Sequence, residues 1–175
     1  MGERSWARLT IGGHVPRRLL TDALETLAGC RLDECLEDGQ VVVEDPEASW
    51  GGFSELEAWL EGRGIPFDLE SAACPGAWPD MLVHFRPGRG RVEFVSDDSH
   101  AEPVIPRSTL RTALTRSRTL KGLRTWLTRT YPEVPALEPI TWARADPVDD
   151  RFMDQVGRSG TCAPFIPRGS GRCEH

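Results

Sequence analysis

Apolar residues recur along this chain with two different periods. In some segments they alternate with polar residues, which is the pattern of a half-buried strand, and in others they recur every three or four residues, which is the pattern of an amphipathic helix. The predicted strands cover 6–13, 31–36, 41–43, 65–70, 81–86 and 91–95. The predicted helices cover 17–29, 53–64 and 107–129. The chain is therefore expected to mix strands with helices, and its last two predicted strands form a β-hairpin.

This order of elements predicts an α+β fold. We expect a mixed or antiparallel sheet with helices packed on one face, because the strands alternate with helices and end in a hairpin. A ferredoxin-like, split β-α-β arrangement is the leading form of that fold. A long basic helix over 107–129 follows the sheet. Folds of this class carry many unrelated functions, so the architecture alone predicts no activity.

The character of the chain changes near residue 142. Residues 131–142 contain three prolines and are expected to form an irregular strap, and the residues beyond are rich in Gly, Pro and charge. We predict one α+β domain at 1–142 and a flexible tail at 143–175. No apolar run reaches the ~18 residues of a membrane span. The five cysteines are an odd number in a chain without a secretory leader, which favours a cytoplasmic protein with reduced thiols.

Charge is segregated along the chain, whose formal net charge is -6. Residues 107–130 contain six arginines and one lysine but no acidic residue, whereas the acidic block, residues 33–61, contains ten acidic residues but no basic one. If 107–129 is one helix, four arginines fall within about 40° of one another and form an arginine stripe. The aligned residues are Arg107, Arg111, Arg118 and Arg129. The stripe either pairs with the chain's own acidic block or is merely solvated, or it binds carboxylates or phosphates of a partner.

Two of the six tryptophans lie in predicted loops. Trp50 precedes a Gly-Gly pair, and Trp78 lies between Ala77 and Pro79. Tryptophan and arginine are enriched at the energetic centres of protein interfaces. We therefore predict Trp50 and Trp78 as interface anchors, with the alternative that they cap the core.

Patterns typical of catalytic or metal sites are weak in this sequence. His84 lies within a predicted strand, and His100 follows acidic residues in a loop, but neither accompanies a recognisable nucleophile. Cys30 and Cys35 have a spacing that zinc tolerates, without a second tight pair. We expect no catalytic residue, no metal and no cofactor. A small hydrolase or transferase that uses His84 or His100 with an acidic or cysteine partner, and a zinc-stabilised interaction module, remain the alternatives.

These observations predict a non-enzymatic binding or regulatory protein that acts through segregated surface charge. We expect a protein partner in the first place and nucleic acid in the second, through the arginine stripe, and no membrane. The negative net charge weakens long-range attraction to a polyanion. The size and charge layout suit an accessory or inhibitor protein of a phage or other mobile element that acts on a nucleic-acid-handling complex.

Overall fold

The sheet of this protein is built from the segments in which apolar and polar residues alternate. The computed structural model describes residues 4–97 and 102–143. Its strands are β1 (Arg4–Ile11), β2 (His14–Pro16), β3 (Leu36–Glu37), β4 (Gln40–Ser49), β5 (Phe67–Ser71), β6 (Met81–Arg86), β7 (Gly90–Val95) and β8 (Thr141–Ala143). Six of them form one antiparallel sheet in the order β3-β4-β1-β5-β6-β7, and β2 pairs in parallel with β8. The predicted α+β fold with an antiparallel sheet is confirmed.

Two helices cover one face of this sheet and close the main core. The helices of the described chain are α1 (Arg17–Ala23), which continues as a π-helical segment over Leu24–Ala28, α2 (Leu32–Cys35), α3 (Ser54–Gly62), α4 (Arg107–Arg116) and α5 (Leu120–Thr130). Leu20 of α1 and Leu56 of α3 are buried against Leu9 and Phe67 of the sheet. The core therefore lies between the sheet and the α1–α3 layer, because these helices present their apolar residues at intervals of three and four.

Helix α3 connects two strands that are not neighbours in the sheet. Both β4 and β5 pair antiparallel with β1, one on each side of it, so they run in the same direction and α3 is their crossover. This is one split β-α-β unit. A ferredoxin-like fold contains two such units, whereas here the segment that contains β2, α1, α2 and β3 leads from β1 to its antiparallel neighbour β4, and the sheet continues after β5 as a meander. The ferredoxin-like form is not confirmed.

The expected single helix at 107–129 is wrong, because the chain leaves the helical conformation at 117–119. Ser117 (ψ 107°) and Thr119 (φ -141°, ψ 154°) are extended. The Thr119 hydroxyl accepts a hydrogen bond from the Gly122 N–H at 3.1 Å and so caps α5. Ser and Thr favour such positions, since their side-chain oxygens compete for backbone N–H groups. The arginine stripe is therefore divided between two helices and the segment that joins them.

The expectation that helices pack on one face holds for α1 and α3 but not for α5. Leu82 and Phe94 are register partners in β6 and β7 and are buried on the side opposite to Val83 and the main core. Tyr131, at the end of α5, stacks on Phe94 with ring centroids 5.8 Å apart. The β6–β7 hairpin thus has an apolar patch on its second face, and Tyr131 at the end of α5 covers part of that patch.

Several predicted features lie outside the described residues. These are His100 and all of the tail at 143–175 except Ala143, the last residue of β8. Among the described residues, no helix is long and apolar enough to cross a membrane.

Candidate functional site

We define the α4–α5 surface as the exposed side chains of residues 107–130. All of its charged side chains are cationic. All seven of its basic side chains are exposed: Arg107, Arg111, Arg116, Arg118, Lys121, Arg124 and Arg129. Within residues 4–97 and 102–143, none of them forms an ion pair with a carboxylate. The carboxylates of these residues therefore do not neutralise them.

The four arginines predicted as one stripe occupy three different elements. Arg107 is the first residue of α4 and Arg111 lies one turn later, whereas Arg118 lies in the non-helical link and Arg129 in the last turn of α5. Arg107 lies at the positive end of the α4 helix dipole, which is unfavourable for a cation, and no acidic residue in the first turn offsets this. Arg129 lies at the opposite, favourable end of α5. The stripe does not exist as a straight row, although every member remains exposed.

The same surface exposes large apolar side chains. Their exposed fractions are 37% for Leu110, 54% for Leu114, 79% for Leu120 and 42% for Leu127. Helix α5 has no buried residue at all, and α4 buries only Ala113. Because leucines beside arginines gain free energy when another apolar surface covers them, this pair of helices has the composition of an interface.

An open depression of about 450 Å³ lies on the polar side of α5. Its lining includes Lys121, Arg124, Thr125, Thr128 and Arg129. Three of these five residues are cationic, and carboxylate or phosphate oxygens are the ligands that cationic groups bind best. The hydroxyls of Thr125 and Thr128 donate to the Lys121 and Arg124 carbonyls within the helix.

The acidic block does not pair with the α4–α5 surface in the described part of the chain. Six of its carboxylates contact Arg4, Arg8, Arg31 or Arg91 instead. The block is also distributed over α2, β3, β4 and α3, so its ten acidic residues do not share one element. The alternative in which the block neutralises the basic segment is therefore not observed among these residues.

The strongest of these internal contacts surrounds Arg91 on β7. Its guanidinium lies 2.8 Å from Glu57, 2.9 Å from Glu61 and 2.7 Å from Glu93. The buried Glu57 also accepts a hydrogen bond from the Phe53 N–H at the start of α3. Burial alone would lower the pKa of Arg91, but the three carboxylates raise it. This cluster fastens α3 to the edge strand and is structural.

The two predicted tryptophan anchors contact each other. Trp50 is 70% exposed, and its ring lies 6.1 Å from that of Trp78, centroid to centroid. The Trp78 indole N–H donates to the Ala72 carbonyl, which fixes the inner ring. Trp50 has a positive φ of 57°, a conformation that non-glycine residues seldom adopt. The pair therefore presents one exposed indole on a fixed support, a geometry that suits an interface anchor.

His84 lies in a polar cluster on the second face of the sheet that the sequence did not reveal. Its Nδ1 atom is 2.6 Å from Asp68 Oδ1, and the buried Arg86 binds both oxygens of the same carboxylate. Burial alone would raise the pKa of Asp68, but hydrogen bonds from His84 and Arg86 lower it below its usual value. Arg86 also donates to the Pro135 carbonyl, so the cluster attaches the strap to the sheet.

Cys30 and Cys35, the pair whose spacing zinc tolerates, are hydrogen-bonded to each other. Cys30 is half-buried and Cys35 buried, and burial and a hydrogen bond with Cys30 raise the pKa of Cys35 to about 12. No three His, Cys, Asp or Glu side chains of the described residues cluster so that they could hold a metal ion. Cys30 and Cys35 therefore form no metal site with other described residues, and the tail cysteines lie outside these residues.

No family model, curated protein or solved structure matches this chain.

Proposed function

We propose that the protein is a non-enzymatic binding and regulatory protein whose α4–α5 surface docks an acidic partner, in the first place a protein. The observation that carries this proposal is the presence, on α4, α5 and the link between them, of seven exposed cations without an ion pair among the described residues, beside four exposed leucines. Elsewhere in the described chain, arginines such as Arg86 and Arg91 bind the protein's own carboxylates.

The leucines favour a protein over nucleic acid. Phosphates would satisfy the guanidinium groups equally well, but a nucleic-acid backbone offers little apolar area to Leu114 or Leu120. An acidic protein surface with apolar residues at its centre would satisfy both kinds of group. The Trp50–Trp78 pair supplies a further anchor for a protein partner. A narrower form of the proposal, an accessory or inhibitor protein of a phage or other mobile element, has its support in the segregation of charge along the chain.

Capture of partners from the native host tests the proposal. Wild-type protein should retain a partner that Arg111→Glu loses by at least about tenfold, equivalent to about 1.4 kcal/mol, and that high salt releases. Arg18→Glu is the matched control, since Arg18 is an exposed arginine on α1 and makes the same charge change. Equal retention by the Arg111 and Arg18 variants contradicts the proposal.

A leucine variant separates the two classes of partner. Leu114→Ala should weaken binding to a protein, because its exposed side chain would be buried in that complex. Immobilised duplex DNA that retains the protein through Arg111, without any effect of Leu114→Ala, would instead establish nucleic-acid binding.

A second candidate, a small hydrolase or transferase, is favoured by one observation. Asp68 contacts Nδ1 of His84, and this is how a carboxylate orients a catalytic imidazole. However, Arg86 shares the carboxylate, and among the described residues no serine or cysteine side chain is hydrogen-bonded to His84. Hydrolysis of an activated ester that disappears in His84→Ala and persists in Arg111→Glu would favour this candidate.

A further inference from the structure

The α4–α5 segment contains the same seven-residue pattern twice. The sequence LRTALTR occupies 110–116 and LRTWLTR occupies 123–129, so six of seven positions are identical at an offset of thirteen residues. We call these two stretches the docking units. The first lies in α4 and the second in α5.

The two docking units also share their local hydrogen bonds. Thr115 donates to the Arg111 carbonyl at 2.9 Å, and its counterpart Thr128 donates to the Arg124 carbonyl at 3.1 Å. The preceding threonines do the same one turn earlier, Thr112 to Ser108 and Thr125 to Lys121. The repetition is therefore structural and not confined to the sequence.

Each unit shows the same kind of residue to solvent and to the protein. Arg111 and Leu114 of the first unit are exposed, as are Arg124 and Leu127 of the second. The position that differs faces inward in both, because Ala113 is buried and the half-buried Trp126 packs on Tyr131.

The non-helical residues 117–119 affect how the two docking units are oriented relative to each other. In one uninterrupted helix, thirteen residues turn by about 220°, which would direct the two units to nearly opposite sides. The extended residues Ser117 and Thr119 remove that constraint and allow each helix its own orientation. The same Arg-Leu face can therefore be used twice.

We propose that the two docking units are equivalent binding sites and that the chain binds two acidic amphipathic segments of another protein, one on each helix. This inference rests on the proposed function and names the partner chemistry. Each partner segment supplies a carboxylate to the arginines of one docking unit and an apolar side chain to the leucines of that unit. The carboxylate comes from the partner because residues 107–130 contain no acidic residue. A partner that carries two such segments gains affinity through the high effective concentration of the second.

Isothermal titration of the full chain with a synthetic peptide tests the stoichiometry. The probe is a peptide of about sixteen residues that alternates Glu and Leu at helical spacing. Two peptides should bind per chain with similar affinity. Arg111→Glu/Leu114→Ala and the matched Arg124→Glu/Leu127→Ala should each bind one, the combination of all four changes none, and Arg18→Glu two. Circular dichroism of every variant checks that it remains folded.

Three results would overturn the inference. One peptide per chain, lost with either paired variant, means a single composite site and leaves the proposed function intact. Equal binding of a peptide with the same charge but without leucines means that the segments need not be amphipathic. If the wild-type protein binds no peptide, acidic amphipathic segments are not the ligands of the docking units. The proposed function also fails only if capture of the partner from the host does not depend on Arg111.

Discussion

The main core and the α4–α5 surface use the same residue types for opposite purposes. In the core, Leu9, Ile11 and Phe67 are completely buried, whereas Leu120 of α5 is largely exposed. Around the sheet, Arg86 and Arg91 bind carboxylates, whereas Arg111 and Arg124 bind none among the described residues. The sheet with α1 and α3 thus accounts for folding, and the basic helices add exposed groups that folding does not require.

The largest expected difference between these regions is the cost of losing an apolar side chain. Phe67→Ala should lower the free energy of unfolding by about 3–5 kcal/mol, because Phe67 is fully buried and stacks on Phe85. Leu120→Ala should change it by less than about 0.5 kcal/mol. Urea denaturation of both variants measures this, and a comparable loss in the two would mean that α5 packs far more tightly than its exposure indicates.

The next largest expected difference between the two regions is the loss of stability when an arginine is replaced. Arg91→Met should destabilise the protein by about 2 kcal/mol, since it leaves the buried Glu57 carboxylate without its ionic partner. The estimate lies below the range for fully buried pairs, because Arg91 is about one-third exposed. Arg111→Met should leave stability within about 0.5 kcal/mol of wild type. Thermal unfolding of the two variants compares them, and equal melting temperatures would remove the distinction between structural and unpaired arginines.

The smallest expected difference is in pH dependence. The folded-state pKa of Asp68 lies below the ~3.9 of an unfolded aspartate, so folding favours the ionised form. Its contribution to stability is complete above about pH 4 and is lost as the pH falls through the folded-state pKa. Asp68→Asn should therefore flatten the decline of unfolding free energy below about pH 4. Asp33→Asn, on an exposed carboxylate, is the matched control, and superimposable profiles for the two variants would contradict the assigned role of Asp68.

Much of the sheet was predictable because its strands have a buried and an exposed side. The hairpin β6–β7 and strand β5 follow the predicted ranges closely. Strand β4 runs on to Ser49, well beyond its apolar residues, because pairing with β1 supports its polar half. Pro46 is tolerated there since β3 covers only the first residues of the outer edge of β4.

The candidate site was predictable in composition but not in geometry. The sequence identified the basic segment and the two loop tryptophans. It did not identify the break at 117–119, although Thr119 is a good helix N-cap residue three positions before Gly122. The repeated LRTxLTR pattern was a further signal in the sequence. A helical-wheel projection of one long helix conceals this repeat, because the projection places the two copies on different sides of the helix.

The sequence by itself indicated most of the extended and helical segments and where charge accumulates, because periodicity and composition are local properties. Residues 31–36, which it predicts as a strand, instead contain helix α2. Only the tertiary structure decided which charges are neutralised. Asp68, His84 and Arg86 meet because β5 and β6 are neighbours in register, and Arg91 reaches Glu57 because α3 crosses over the sheet. Ion pairing depends on distances of a few ångströms between residues far apart in the chain, and those distances follow from strand order rather than from any local pattern.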